Sequence, residues 1–241
     1  MKTLVFLHGW GAQGTIWQRQ MEAWGGRFRV LTPDIPAWEA EWLADYLGKV
    51  PLEETVVVGW SLGGMLLLEA LAGCRVPPAG LVLVSAPASF CRQADYPWGQ
   101  PPAVVRAMRR ALNHDALKVL KEFALGCLAP GEEQFQEEAF TFFRSGEADA
   151  HLASGLDYLL HQDLRPWLSR IPGPATIIQG DQDTIVPPAQ AHYLNQHLPG
   201  ARLFLLPGAG HLPFLTQAGA FNEIIEEEFL RGGPGDRKSV V

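Results

Sequence analysis

Six short apolar runs limit what this chain can fold into. "TLVFLHG" (3–9), "FRVLTPDI" (28–35), "TVVVGWS" (55–61), "GLVLVSAP" (80–87), "ATIIQGDQD" (175–183) and "RLFLLPGAGH" (202–211) are rich in Val, Ile, Leu and Phe and are closed by Gly, Pro or Asp. Runs of that length without polar alternation read as strands buried on both faces. Helical candidates lie between most of them. "AEWLADYLGKV" carries apolar residues at 42, 43, 46 and 47, and "LGGMLLLEALAG" ends at Gly73, a natural helix stop. Strand–helix alternation predicts an α/β fold: a mostly parallel sheet with helices on both faces.

The rhythm breaks between residues 89 and 170. This stretch opens with "YPWGQPP" and continues in helical segments, "AVVRAMRRAL", "DALKVLKEFALGCL" and "EEQFQEEAFTFF", without a convincing buried strand. It reads as a helical cap (89–170) inserted into a core made of 1–88 and 171–231. The Gly-rich, charged end, 232–241, is expected to be a flexible tail.

Charge and cysteine content exclude several classes. The formal net charge of −7 argues against nucleic acid as the main partner, because phosphate binding needs a basic face. Cys74, Cys91 and Cys127 form no C-x-x-C pair, so neither a disulfide framework nor a zinc site is expected and they read as core residues. The apolar run near Met1 is too short to span a membrane and lacks a signal peptide's cleavage region. A soluble cytoplasmic protein without metal or organic cofactor is the expectation.

Gly59-Trp60-Ser61-Leu62-Gly63, followed by Gly64, has the G-x-S-x-G spacing of a nucleophile elbow, between the buried "VVV" and the apolar "MLLLEAL". Such a turn needs small neighbours so that strand and helix can approach, and it projects the Ser61 hydroxyl above the sheet at a helix N-terminus. The plain alternative is a glycine-rich turn whose serine caps the helix. A serine nucleophile needs a base, and the base an orienting acid. His211 follows the last strand candidate and Asp183 the one before it, where the carboxyl ends of parallel strands gather. The order Ser61, Asp183, His211 is the one expected with an elbow. Asp181 competes for the acid role; Asp183 is preferred because the apolar "TIVP" that follows would anchor it, leaving Asp181 to brace the turn. His8, in "HGWG", reads as a support for its loop. That loop and the elbow would supply the backbone N–H groups of Trp10 and Leu62 as an oxyanion hole.

With these residues in view, "FLHGWG", "GWSLGG", "GDQDTIVP" and "GAGHLPF" resemble the α/β-hydrolase superfamily, and within it most closely the family of pimeloyl-[acyl-carrier protein] methyl ester esterases of biotin synthesis. The resemblance covers 1–88 and 171–230 and extends weakly into the insertion. It implies Ser61 as nucleophile, His211 as base, Asp183 as acid, Trp10 and Leu62 as oxyanion donors and the segment Phe123, Ala124, Leu125, Gly126 and Cys127 against an acyl chain. The chain differs from the superfamily pattern in two ways. It begins at what is usually the third strand, so a sheet of about six strands is expected. After "TPDIP" it reads "AWEAEWLADYL" instead of a glycine-rich continuation, which shortens that side of the site entrance.

Trp98, Phe123, Phe135, Phe140, Phe142, Phe143, Tyr158 and Trp167 supply enough aromatic surface to wall an acyl pocket, although packing of cap against core is the simpler use for each. Between 101 and 121, Arg106, Arg109, Arg110, Lys118 and Lys121 stand against Asp115 alone. A basic patch on an acidic protein would suit an acidic acyl carrier protein, with a solvated helix face as the alternative. The expected activity is carboxylic-ester hydrolysis at Ser61. A thioesterase or a carbon–carbon bond hydrolase would use the same triad, and a non-catalytic binding protein would keep the scaffold alone.

Overall fold

A computed structural model describes residues 2–74, 76–143 and 149–230. The tail expected to be flexible, 232–241, lies outside them. The described residues form one six-stranded sheet in the order β2-β1-β3-β4-β5-β6, built from β1 (Thr3–Leu7), β2 (Arg29–Leu31), β3 (Thr55–Trp60), β4 (Gly80–Val84), β5 (Ala175–Gly180) and β6 (Arg202–Leu206). Every neighbouring pair is parallel. This agrees with the expected α/β fold, a mostly parallel sheet of about six strands.

Each apolar run contains a strand, but only the four inner ones are buried throughout. The expectation of burial on both faces fails for β2 and β6, which form the sheet edges and leave Arg29, Arg202 and Leu205 exposed. An edge strand has a neighbour on one side only, so fewer of its side chains are covered.

Helices α1 (Gln18–Trp24), α2 (Ala40–Leu47) and α3 (Leu62–Ala72) connect the first strands. Nine of the eleven residues of α3 are buried. A helix that is apolar on all sides is stable only inside a fold, and its burial fixes its N-terminus at the carboxyl end of β3. After β5 come α7 (Pro188–His197), then α8 (Pro213–Thr216) and α9 (Ala218–Ile225) beyond β6.

Between β4 and β5 run α4 (Pro102–Gly126), α5 (Gln136–Phe143) and a further helix, α6 (Asp149–His161). Helix α4 is broken at Asp115, whose backbone is extended at φ −159° and ψ 85°. The Asp115 carboxylate accepts the N–H of Lys118 at 2.9 Å and so caps the second half. Leu112, Leu120, Ala124, Phe143, Leu152 and Leu156 join these helices to the same core as the sheet. No helix of the described residues is long and apolar enough to cross a membrane.

Candidate active site

The elbow is held by contacts that only glycine permits. A Cβ on Gly59 would lie 2.7 Å from Gly64 Cα, one on Gly63 would lie 2.2 Å from the His8 carbonyl oxygen, and one on Gly64 would lie 2.5 Å from Ala86 Cβ. The chain turns between β3 and α3 on Ser61 itself, at φ 54° and ψ −122°. A non-glycine residue in that region stores about 1–3 kcal/mol, which the buried packing of β3 and α3 sustains. Ser61 N–H donates to the Val84 carbonyl at 2.9 Å, so the turn is also tied to the neighbouring strand.

The three strand ends then bring distant residues together. Ser61 Oγ lies 3.0 Å from His211 Nε2, and His211 Nδ1 lies 2.7 Å from Asp183 Oδ2. A carboxylate only accepts, so Nδ1 carries the imidazole proton and Nε2 is free to accept from the Ser61 hydroxyl. All three side chains are buried. Asp183 Oδ1 accepts the N–H groups of Ile185 and Val186, both at 2.9 Å, and Oδ2 also accepts from Gln179 Nε2 at 2.9 Å. These donors satisfy the oxygens of a buried side chain that would otherwise be costly to bury. Asp181 instead accepts the N–H of Gly208 at 2.7 Å and so braces the turn after β6.

Trp10 and Leu62 flank this constellation, and neither backbone N–H donates to another group among the described residues. The Trp10 indole donates to the Leu152 carbonyl of α6 at 2.7 Å. His8 lies beneath the loop: Nε2 accepts the N–H of Ile35 at 2.9 Å, and Nδ1 donates to the Gly9 carbonyl at 2.9 Å. Burial lowers its pKa to about 4, so the imidazole is neutral near pH 7.

Of the segment Phe123–Cys127, the ring of Phe123 lies 5.0 Å from Trp10 and 6.5 Å from His211 between centroids, and the Cys127 carbonyl accepts the His211 N–H at 2.7 Å. Ala124 and Cys127 are buried, and Leu125 and Gly126 are exposed. Burial, reinforced by the Asp183 carboxylate, pushes the Cys127 thiol well above its usual range, so it stays protonated and is a poor rival nucleophile. An apolar groove of about 410 Å³ runs between the two halves of α4, lined by Val104, Met108, Ala111, Val119 and Phe123 among others. Phe143 also approaches the site, 5.5 Å from Phe123. Other aromatics of 89–170 serve elsewhere: Trp98 packs on Tyr96 and Tyr193, Phe135 lies beneath Arg19 and Tyr158 donates to Glu69 at 2.5 Å.

The basic stretch is less free than its local sequence implies. Arg109 pairs with Asp157 of α6 at 3.2 Å, Lys118 faces Glu122 and Lys121 lies over the Phe140 ring. Arg106 and Arg110 are exposed and form no ion pair among the described residues. No group of three or more His, Cys, Asp or Glu among the described residues has an arrangement that would hold a metal.

Several supporting residues escaped the sequence reading. Trp60 Nε1 donates to the His211 carbonyl at 2.9 Å, and Gln179 orients Asp183. A polar residue inside the buried run "ATIIQG" was the one available signal for Gln179.

Residues 4–224 match the model of the Alpha/beta hydrolase family. The chain is 32% identical over 231 residues to the pimeloyl-[acyl-carrier protein] methyl ester esterase of Nitrosomonas europaea, covering 88% of this chain and 90% of that relative. It is 31% identical over 232 residues to the protein of the same name from Vibrio campbellii, covering 90% and 91%. Among solved structures, an esterase from Exiguobacterium antarcticum superposes with a TM-score of 0.87 at 21% identity, covering 95% of this chain and 92% of that one.

Proposed function

The chain belongs to the alpha/beta hydrolase family and is a hydrolase; from that premise we propose that it is a serine carboxylic-ester hydrolase with Ser61 as nucleophile, His211 as base and Asp183 as acid. The observation that carries this reading is the unbroken line of hydrogen bonds from Ser61 Oγ through His211 to Asp183, at 3.0 and 2.7 Å. As Oγ attacks the ester carbonyl carbon, its proton passes to Nε2 and Asp183 stabilises the imidazolium. The N–H groups of Trp10 and Leu62 receive the developing oxyanion; loss of one such donor costs about 3 kcal/mol in the barrier. The tetrahedral species collapses, His211 returns the proton to the leaving alcohol, and an acyl-Ser61 ester remains. Water then repeats the cycle, with His211 taking its proton, and releases the acid.

The substrate assignment rests on the relatives. Their shared name supports the methyl ester of a pimeloyl group held on acyl carrier protein, cleaved to free acid and methanol in biotin synthesis. In this reading the acyl chain passes Phe123 and the groove in α4, while Arg106 and Arg110 meet the acidic carrier.

A fluorophosphonate probe, which phosphonylates an activated serine, tests the nucleophile: the wild type should be labelled and Ser61→Ala should not. Equal labelling, or equal hydrolysis of p-nitrophenyl butyrate by the two proteins, would end the proposal. Methyl esters and thioesters of graded chain length test the substrate, with the carrier-bound methyl ester expected to give the highest kcat/KM.

A further inference from the structure

The segment that follows α4 closes onto the turn carrying His211 through a buried carboxylate. Glu132 is 5% exposed. Its Oε2 accepts the N–H of Ala129 at 2.8 Å and the N–H of Gly210, the residue before His211, at 3.1 Å. His211 donates its own N–H to the Cys127 carbonyl at 2.7 Å. Two successive amides of the turn are thus held by residues 127–132. The fit leaves no slack, for a Cβ on Gly210 would lie 2.5 Å from the Cys127 carbonyl oxygen and 2.7 Å from Ala129 N.

Glu132 is an expensive way to brace a turn. Its Oε1 is buried without a hydrogen-bond partner, and no cation pairs with the carboxylate among the described residues. A buried carboxylate satisfied on one oxygen costs free energy. Such a cost is characteristic of sites where geometry matters more than stability. The oxygen that is satisfied joins two chain segments 78 positions apart, one following the helix with Phe123 and the other bearing the base.

We propose that Glu132 is a positioning residue for His211: it locks the base-bearing turn to the segment that follows α4, so that the imidazole stays in line between Asp183 and Ser61 only while residues 127–132 are seated. This rests on the serine-hydrolase reading given above. The effect should fall on turnover more than on substrate binding, because Glu132 touches the backbone before the base and not the groove residues.

The test compares wild type with Glu132→Ala, Glu132→Gln and Glu132→Asp on p-nitrophenyl butyrate, with active sites counted by endpoint labelling with the fluorophosphonate probe. A displacement of order 1 Å at a reacting group costs roughly 100-fold, so Glu132→Ala should lose about 10- to 100-fold in kcat per labelled site with KM almost unchanged. Glu132→Gln keeps an acceptor oxygen at the same reach and should recover most of that loss. Full kcat per labelled site in Glu132→Ala overturns the proposal, as does a loss explained by the fraction of unfolded protein. If the alanine variant does not fold, Glu132→Asp decides: it withdraws the acceptor by one methylene, and wild-type kcat per labelled site in it equally overturns the proposal. A wild type that the probe does not label brings down the serine-hydrolase reading and this one together, whereas failure of the positioning role alone leaves the labelling intact.

Discussion

Gly155 of α6 rests directly against Trp10: a Cβ at this position would lie 2.6 Å from the indole Cδ1, and 2.8 Å from Trp38 Nε1. In an isolated helix, alanine would gain about 1 kcal/mol over glycine. Here overpacking opposes that gain by about 1–3 kcal/mol. Gly155→Ala should therefore destabilise the protein, and it should lower kcat because Trp10 carries a proposed oxyanion donor. Urea unfolding and ester turnover check both parts. A variant more stable than wild type would mean that α6 moves aside freely.

The two aspartates after β5 should separate by function. Asp183→Asn presents the wrong hydrogen-bonding group to His211 Nδ1 and should lower kcat by about 10⁴-fold. Asp181→Asn weakens one bond to the Gly208 N–H and should cost about 1 kcal/mol of stability with kcat retained. Turnover and thermal unfolding of the two variants decide, and the opposite ranking in kcat would transfer the acid role to Asp181.

His8 should make stability fall in mild acid. Its pKa is lowered to about 4 in the folded protein by burial, whereas in the unfolded chain it titrates near its ordinary value of about 6.5. The unfolded state therefore binds the extra proton first as pH falls. The contribution is fully present above about pH 6.5, is lost progressively towards about pH 4, and amounts to about 2 kcal/mol between pH 7.5 and pH 5. Urea titrations at those two pH values should show that much more loss in wild type than in His8→Gln. Parallel losses would mean that His8 titrates normally.

The strands and the fold class are readable from hydropathy, because buried parallel strands are continuous apolar runs, and the candidate triad follows since each member sits just beyond such a run. Which strands lie at the edges depends on sheet order, so the exposure of β2 and β6 has no local mark. Helix α6 is weakly marked: Ser154 and Gly155 interrupt its interior, and the reason for Gly155 is an indole in another part of the chain. Glu132 and Trp60 act through bonds to Gly210 and His211, and no spacing rule connects them. The pairing of Arg109 with Asp157, 48 positions apart, lies beyond any count of charges within 101–121.

That ion pair decides which arginines can test carrier docking. Arg109 also ties α4 to α6, so reversing its charge would disturb the packing of these two helices. Arg106→Glu with Arg110→Glu alters only exposed charge. Steering of this kind acts on encounter and weakens with salt. The double variant should lose about tenfold in kcat/KM on a carrier-bound methyl ester at low salt, less at high salt, and nothing on a small free ester. Equal losses on both substrates, or no response to salt, would reduce the patch to a solvated helix face.

The order of the strands along the chain has a consequence for the protein's own synthesis. Ser61 and His211 are separated by 150 positions, and the three helices between β4 and β5 are made before the base. With these residues in their proposed roles, a chain still on the ribosome carries a strained serine but no imidazole to activate it, and the anchor at Glu132 waits for a turn not yet translated. In those roles, ester cleavage begins only once β6 has joined the sheet and His211 has reached Ser61, so chains that stop short of that turn are silent towards substrate.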